Sequence, residues 1–123
     1  MAKTVLVVDD SAMMRKIVIK NLKEAGFDVN VVEAGDGAEG LDKFRAGGIS
    51  CVLSDWNMPN MDGLTMVKEI RKLDPQKVVP IIMITTEGSA EKVKDAVLAG
   101  ANNYLAKPFT ADRFKEKLAK ILG

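Results

Sequence analysis

Val52-Leu53-Ser54-Asp55-Trp56-Asn57-Met58-Pro59 is the stretch that decides how this chain folds. A short apolar run delivers one carboxylate, Asp55, and a polar, proline-containing loop follows at once. An acid at the end of an apolar strand sits at the mouth of a sheet, half out of water and facing a crevice. It can serve there as a nucleophile, a metal ligand or both. The same grammar recurs on either side. Upstream, Val5-Leu6-Val7-Val8 ends on Asp9-Asp10; downstream, Val78 to Ile84 ends on Thr85-Thr86-Glu87. Continuous β-branched runs of this kind mark strands buried on both faces.

Helical patterns fill the gaps. Ser11 reads as an N-cap, followed by Met14, Ile17, Val18, Leu22 and Ala25 at i, i+3, i+4 spacing and closed by Gly26. Asp36-Gly37-Ala38-Glu39 has the acid-x-x-Glu spacing of a helix start. Ala38, Leu41 and Phe44 form its inner face, and Gly47-Gly48 ends it. Asp62-Gly63 opens a third helix with Leu64, Val67 and Ile70 inward, stopped by Asp74-Pro75. Ser89 caps a fourth, with Val93, Val97 and Leu98 apolar and Gly100 at its end. Thr110 caps the last, which shows Phe114, Leu118 and Ile121.

Two further strands, Val29 to Glu33 and Asn102 to Ala106, are partly polar and therefore suit sheet edges; Ile49 to Ser54 is the third strand, and Pro80 is tolerable only near the start of the fourth. Strand and helix thus alternate five times, the pattern of a doubly wound α/β fold, a parallel sheet with helices on both faces. Right-handed crossovers with strands two and five at the edges leave the order 2-1-3-4-5. The direction of growth reverses between strands one and three, and ligands bind outside the carboxyl ends of the strands at such a reversal.

Composition narrows the chemistry. The 123 residues suit one domain, 47% hydrophobic and 28% charged, with a formal net charge of +1. That charge gives no electrostatic case for nucleic acid or membrane. No run approaches membrane-spanning length. The absence of histidine excludes Cys–His nucleophiles, Ser–His–Asp triads and histidine metal sites. The single cysteine, Cys51, opens an apolar run and reads as a small buried hydrophobe in a reducing, cytoplasmic setting. The seven methionines are scattered, and the helix-borne ones read as core filler.

Four strand ends carry the chemistry: Asp9-Asp10, Asp55, Thr85-Thr86 and Lys107. Each has a commonplace explanation alone. Paired acids often mark a solvated turn, a threonine often starts a helix, and a lysine before proline is usually on the surface. Together they place three carboxylates, hydroxyls and an ammonium on the one rim where this fold binds ligands. Crowded carboxylates repel one another, and a divalent cation relieves them. All-oxygen donors favour a hard ion, Mg²⁺ first. The cation and Lys107 together would neutralise a phosphoryl group from two sides, with Thr85 donating to a third oxygen. Asp55, between the acids and the lysine, is the natural nucleophile for an aspartyl-phosphate.

With these residues in view the chain resembles response-regulator receiver domains over essentially its whole length, residues 1–123 forming a single receiver domain with no output domain. The resemblance rests on Val7-Val8-Asp9-Asp10-Ser11, Asp55-Trp56-Asn57-Met58-Pro59, Met61-Asp62-Gly63, Thr85-Thr86-Glu87 and Tyr104-Leu105-Ala106-Lys107-Pro108-Phe109, in that order. The run Asp-Trp-Asn-Met-Pro is similar to single-domain chemotaxis members. The strand order derived above is the one that flavodoxins and receivers share, so it is not independent support.

The resemblance implies roles. Asp55 would accept a phosphoryl group from a chemotaxis-type sensor histidine kinase or a small phosphodonor. Asp9, Asp10, Asp55 and the backbone carbonyl of Asn57 would hold one Mg²⁺. Thr85 and Lys107 would bind phosphoryl oxygens, and Tyr104 would turn from exposed to buried as Thr85 shifts. Lys107–Pro108 would be cis. Asn57, Thr86 and Glu87 would modulate the phosphoryl lifetime. Thr86 departs from the smaller residue common after the switch threonine. Partners would be the kinase, a flagellar motor switch protein and a dedicated phosphatase, for a cytoplasmic monomer that also catalyses its own dephosphorylation.

Three other readings compete. A phosphorelay intermediate would pass the phosphoryl group on to another histidine. A Mg²⁺-dependent phosphohydrolase of the aspartyl-nucleophile type usually carries Asp-x-Asp after strand one, whereas here the acids are adjacent and no cap domain is present. A nucleotide or flavin module would need a first loop free of acids, and Asp9-Asp10 would repel a phosphate there.

Overall fold

A computed structural model describes residues 3–86 and 89–122. Its elements are β1 (Lys3–Val8), α1 (Ala12–Glu24), β2 (Val29–Ala34), α2 (Gly37–Arg45), β3 (Cys51–Ser54), α3 (Gly63–Leu73), β4 (Ile81–Thr85), α4 (Ala90–Ala99), β5 (Asn103–Ala106) and α5 (Ala111–Leu122). The five strands are parallel and ordered β2-β1-β3-β4-β5. The doubly wound architecture and both polar edges expected from the sequence are therefore present.

Alternation along each strand divides the core in two. Leu6 and Val8 of β1, Val52 of β3 and Ile81 and Met83 of β4 pack with Leu41 of α2, Met66, Val67 and Ile70 of α3 and Ala96 of α4. Val5, Val7, Cys51, Leu53, Ile82 and Ile84 pack on the other face with Val18 and Leu22 of α1 and Phe114 and Leu118 of α5. Successive residues of a strand point to opposite faces, so continuous apolar runs serve both layers. Burial pushes the Cys51 thiol up to about 12, against a small opposing pull from Lys3, so it stays a protonated core residue.

The expected caps form. Ser11, Asp36, Asp62 and Ser89 accept the backbone N–H groups of Met14, Glu39, Thr65 and Lys92, and Thr110 accepts that of Arg113 at 3.1 Å. Each satisfies one of the donors that a helix start leaves without a partner.

Several expectations are corrected. β3 begins at Cys51 rather than Ile49, β4 at Ile81 rather than Val78, and β5 at Asn103 rather than Asn102. Val78 is 72% exposed, in the segment before β4. On α4 the sequence left the inner face open: Val97 and Leu98 face solvent, and the small Ala96 is the buried contact, because α4 lies close to α3 and the sheet. On α1, Ile17 is exposed beside Met14, Pro108 and Phe109 instead of entering the core.

One buried charge had no expected role. Arg71 of α3 donates to the carbonyls of Gly100 (3.0 and 2.8 Å) and Val79 (2.7 Å), to Asn102 Oδ1 (2.9 Å) and to Asp74 Oδ2 (3.0 Å). Gly100 has φ +122, and a Cβ there would come 2.6 Å from Arg71 Cγ, so glycine both turns the chain and leaves room for the side chain. Arg71 thereby joins α3, the start of β4 and the α4–β5 turn at the amino end of the sheet.

Candidate functional site

Strand register assembles the opposite end. Val8 pairs with Ser54, and Thr85 pairs with Ala106. The next residues, Asp9, Asp55 and Lys107, therefore emerge together. Backbone bonds continue the ladder one step: Asp9 N–H donates to Ala34 O (3.1 Å), Asp55 N–H to Val8 O (2.9 Å) and Lys107 N–H to Thr85 O (2.9 Å).

Lys107 Nζ lies 2.9 Å from Asp9 Oδ2 and 3.2 Å from Asp55 Oδ2. Each acid uses its other oxygen locally. Asp9 Oδ1 accepts the Ser11 N–H at 2.9 Å, and Asp55 Oδ1 accepts the Trp56 N–H at 2.7 Å. Asp10 completes the group: one carboxylate oxygen from each of Asp9, Asp10 and Asp55 lies within 4.8 Å of the others. Asp9 is buried, Asp55 half-buried and Asp10 exposed. Burial alone would lower the Lys107 pKa, but the hydrogen bond to Asp9 and the charges of Asp55 and Asp9 prevail and raise it above the ordinary value of 10.5. Lys107 is thus held as a cation.

The carboxylates outnumber the ammonium by two, and all the donors are hard oxygens. That set fits one hard divalent cation such as Mg²⁺.

The backbone at Asp55 requires glycine at the start of α3. α3 begins against it: a Cβ on Gly63 would come 2.1 Å from the Asp55 carbonyl oxygen, and the Gly63 N–H donates to Trp56 O at 2.8 Å. Trp56 is buried in the core, and Lys92 Nζ lies 5.1 Å from its ring centroid. Thr85 is fully buried at the end of β4, while Thr86 and Asn57 are exposed. The Lys107–Pro108 peptide bond is cis. Tyr104 on β5 is half-buried and packs against the α2–α3–α4 layer of the core. Glu87, expected beside the site, lies outside the described residues.

The structure therefore brings Asp9, Asp10, Asp55 and Lys107 together, with Thr85 one pairing step from Lys107 and Tyr104 further down β5. Sequence reasoning missed Arg15, whose Nη1 donates to Asp9 O at 2.6 Å while its Nε pairs with Glu33 at 3.0 Å. Its position one turn into α1, below the acids at the end of β1, was the available signal.

A family model described as response regulator receiver domain matches residues 5–119. The chain belongs to the response regulator receiver family. Chemotaxis protein CheY1 of Helicobacter pylori is 49% identical over 119 residues, covering 96% of this chain and 95% of that protein. Chemotaxis protein CheY-3 of Vibrio cholerae is 44% identical over 117 residues, covering 95% and 89%. Among solved structures, Vibrio cholerae CheY4 superposes with a TM-score of 0.88 at 38% identity, covering 99% of this chain and all of that one. A chain of the CheX–CheY–BeF3–Mg²⁺ complex from Borrelia burgdorferi gives a TM-score of 0.89 at 29% identity, covering 98% and 90%. This is a CheY-type receiver domain, a component of two-component signalling. No helix among the described residues is long and apolar enough to cross a membrane.

Proposed function

We propose that this receiver accepts a phosphoryl group on Asp55 and uses it to switch a protein-binding face in chemotactic signalling. The observation that carries the reading is Lys107 Nζ bridging Asp9 and Asp55 at the carboxyl ends of three different strands. Asp9, Asp10, Asp55 and the Asn57 carbonyl would hold one Mg²⁺. When bound, the ion would offset the charge of the acids and of the incoming phosphoryl oxygens.

A carboxylate oxygen of Asp55 attacks phosphorus in line with the leaving nitrogen of a phosphohistidine. A P–O bond forms, the P–N bond breaks, and its electron pair stays on the imidazole, which takes up a proton. Lys107 already stands 3.2 Å from Asp55 Oδ2, so its ammonium can follow the charge onto a phosphoryl oxygen without crossing the site. The Thr85 hydroxyl donates to another oxygen. Hydrolysis at the same carboxyl ends the signal, with Asn57 and Thr86 at the mouth where water approaches. Lys107 would lose part of its hold on Asp9 and Asp55 as it turns to the phosphoryl group. That differential interaction is what biases a two-state protein. Thr85, Tyr104 and the α4–β5–α5 face would form the second state.

The donor would be a chemotaxis-type sensor histidine kinase, the target a flagellar motor switch protein, and the compartment the cytoplasm. The similar chain in a complex described with CheX, BeF3 and Mg²⁺ supports Mg²⁺ as the ion and a CheX-like protein as a further partner; a dedicated phosphatase would be another.

The test is intact mass after incubation with acetyl phosphate and Mg²⁺. One phosphoryl adduct is expected, lost in Asp55→Asn and in the presence of a chelator. An adduct that survives Asp55→Asn would place the acceptor elsewhere.

A further inference from the structure

Asp9 and Asp10 directly follow β1 and Asp55 directly follows β3, whereas the Asn57 carbonyl rides on the loop between β3 and α3. That loop is tied to a separate part of the chain. Asn60 has φ +66, a left-handed conformation that asparagine tolerates. From there its Nδ2 donates to Asp36 Oδ2 at 2.7 Å. The neighbouring Met61 carbonyl accepts the Gly37 N–H at 2.9 Å. A Cβ on Gly37 would come 2.4 Å from that same carbonyl oxygen, so only glycine lets the two segments touch. Asp36 thus has two tasks. Oδ1 caps α2 through Glu39 N–H at 2.8 Å, and Oδ2 holds the loop. The loop is also closed on itself, with Met61 N–H on Pro59 O at 2.7 Å and Gly63 N–H on Trp56 O at 2.8 Å. A displacement at residue 60 or 61 therefore reaches residue 57 with little slack.

We propose that Asp36 and Gly37, at the start of α2, are positioning residues for the cation site: by holding Asn60 and Met61 they set the path of the loop that carries the Asn57 carbonyl. This rests on the Mg²⁺ reading above. A carbonyl ligand adds affinity only where its direction is fixed before the ion arrives, and groups that orient ligands matter for that reason. Asp36 and Gly37 are not among the residues that would hold the ion or the phosphoryl group. Their influence travels through two hydrogen bonds to the loop.

The experiment is Mg²⁺ titration of the unphosphorylated protein by calorimetry, with Asp36→Ser, Asn60→Gly and the double variant. Serine keeps the cap, since its hydroxyl also accepts the Glu39 N–H. Glycine keeps the positive φ of residue 60. Melting in the presence of a chelator checks that each variant is folded. Each single variant is expected to weaken Mg²⁺ binding by about tenfold, the lower end of what loss of an orienting partner causes. The double is expected to be no weaker than either single, because both remove the same bond. Unchanged affinity in Asn60→Gly overturns the proposal. So does a double variant whose losses multiply to about a hundredfold, which would point to independent effects such as the removed charge. Failure of the underlying reading looks different: the unsubstituted protein would then take up no Mg²⁺, or bind it equally well as Asp55→Asn.

Discussion

The two ends of the sheet bury charge in opposite ways. At the amino end, Arg71 donates to three carbonyl or amide oxygens and pairs with Asp74, whose carboxylate also accepts the N–H groups of Val78 and Val79. Every one of those contacts is a fixed internal one. At the carboxyl end, a single ammonium serves Asp9 and Asp55 while Asp10 stands beside them, so negative charge is left over. A charge cluster that is balanced internally behaves as structure. One that is left unbalanced, on a rim the fold opens to solvent, behaves as a site, because something from outside must complete it.

The largest effect belongs to the balanced end. Arg71→Met takes the guanidinium donor from the carbonyls of Gly100 and Val79 and the counter-charge from Asp74, and is expected to cost about 3–5 kcal/mol in urea unfolding, the usual result of breaking one side of a buried pair. A cost below about 1 kcal/mol would mean that water replaces the guanidinium freely, and the contrast between the two ends would fail.

Acid should attack that same end. Burial would raise the Asp74 pKa, but the N–H groups of Val79 and Val78 and the Arg71 charge outweigh it and hold it below 3.8. A depressed carboxylate contributes stability that is complete above its ordinary pKa and is lost as pH falls through its folded value. Asp74→Asn is therefore expected to be less stable than the unsubstituted protein at neutral pH and to converge with it well below pH 3.8, as read from unfolding midpoints along an acid series. Parallel curves would assign the acid dependence to other groups.

The unbalanced end should respond with the opposite sign. Asp10→Asn removes one of three crowded carboxylates, and in the presence of a chelator it is expected to raise stability by about 0.5–1 kcal/mol, the scale of an exposed charge interaction. With Mg²⁺ added the order is expected to reverse, because the unsubstituted protein would gain binding energy that the variant lacks. A loss of stability without metal would show that Asp10 is held by favourable contacts after all.

Legibility followed the same division. The site could be read because its residues fall at strand ends, and strand ends are easy to find in apolar runs such as Val5–Val8 followed by Asp9-Asp10. The parallel order followed from two partly polar strands. The Arg71 knot was hidden because two of its four partners are backbone carbonyls, which carry no side-chain signature, and because an arginine on a helix usually points outward. Only the i, i+3 spacing to Asp74 hinted at it. The outward-facing Val97 and Leu98 show a related limit. Periodicity shows that a helix has a stripe, but on α4 the residue that touches the core is the small Ala96, and the larger apolar residues stand beside it in solvent. Exposed apolar side chains on α4 are what a protein-binding face needs, and they fall where the proposed function locates the output.

The smallest structural effect tests the rim's chemistry. Thr86 follows the last residue of β4 and is exposed, so Thr86→Ala should move stability by no more than about 0.5 kcal/mol. Its neighbour Thr85 is fully buried and would donate to the phosphoryl group, and the exposed Thr86 would then stand where a hydrolytic water approaches. Removing the Thr86 methyl and hydroxyl would open that approach. The expected outcome is faster loss of the phosphoryl group by a few-fold, measured as the decay of the adduct after the donor is removed, with no change in Mg²⁺ affinity. An unchanged decay would mean that water reaches the aspartyl-phosphate by another side, and the residue after the switch threonine would then have no part in timing the signal.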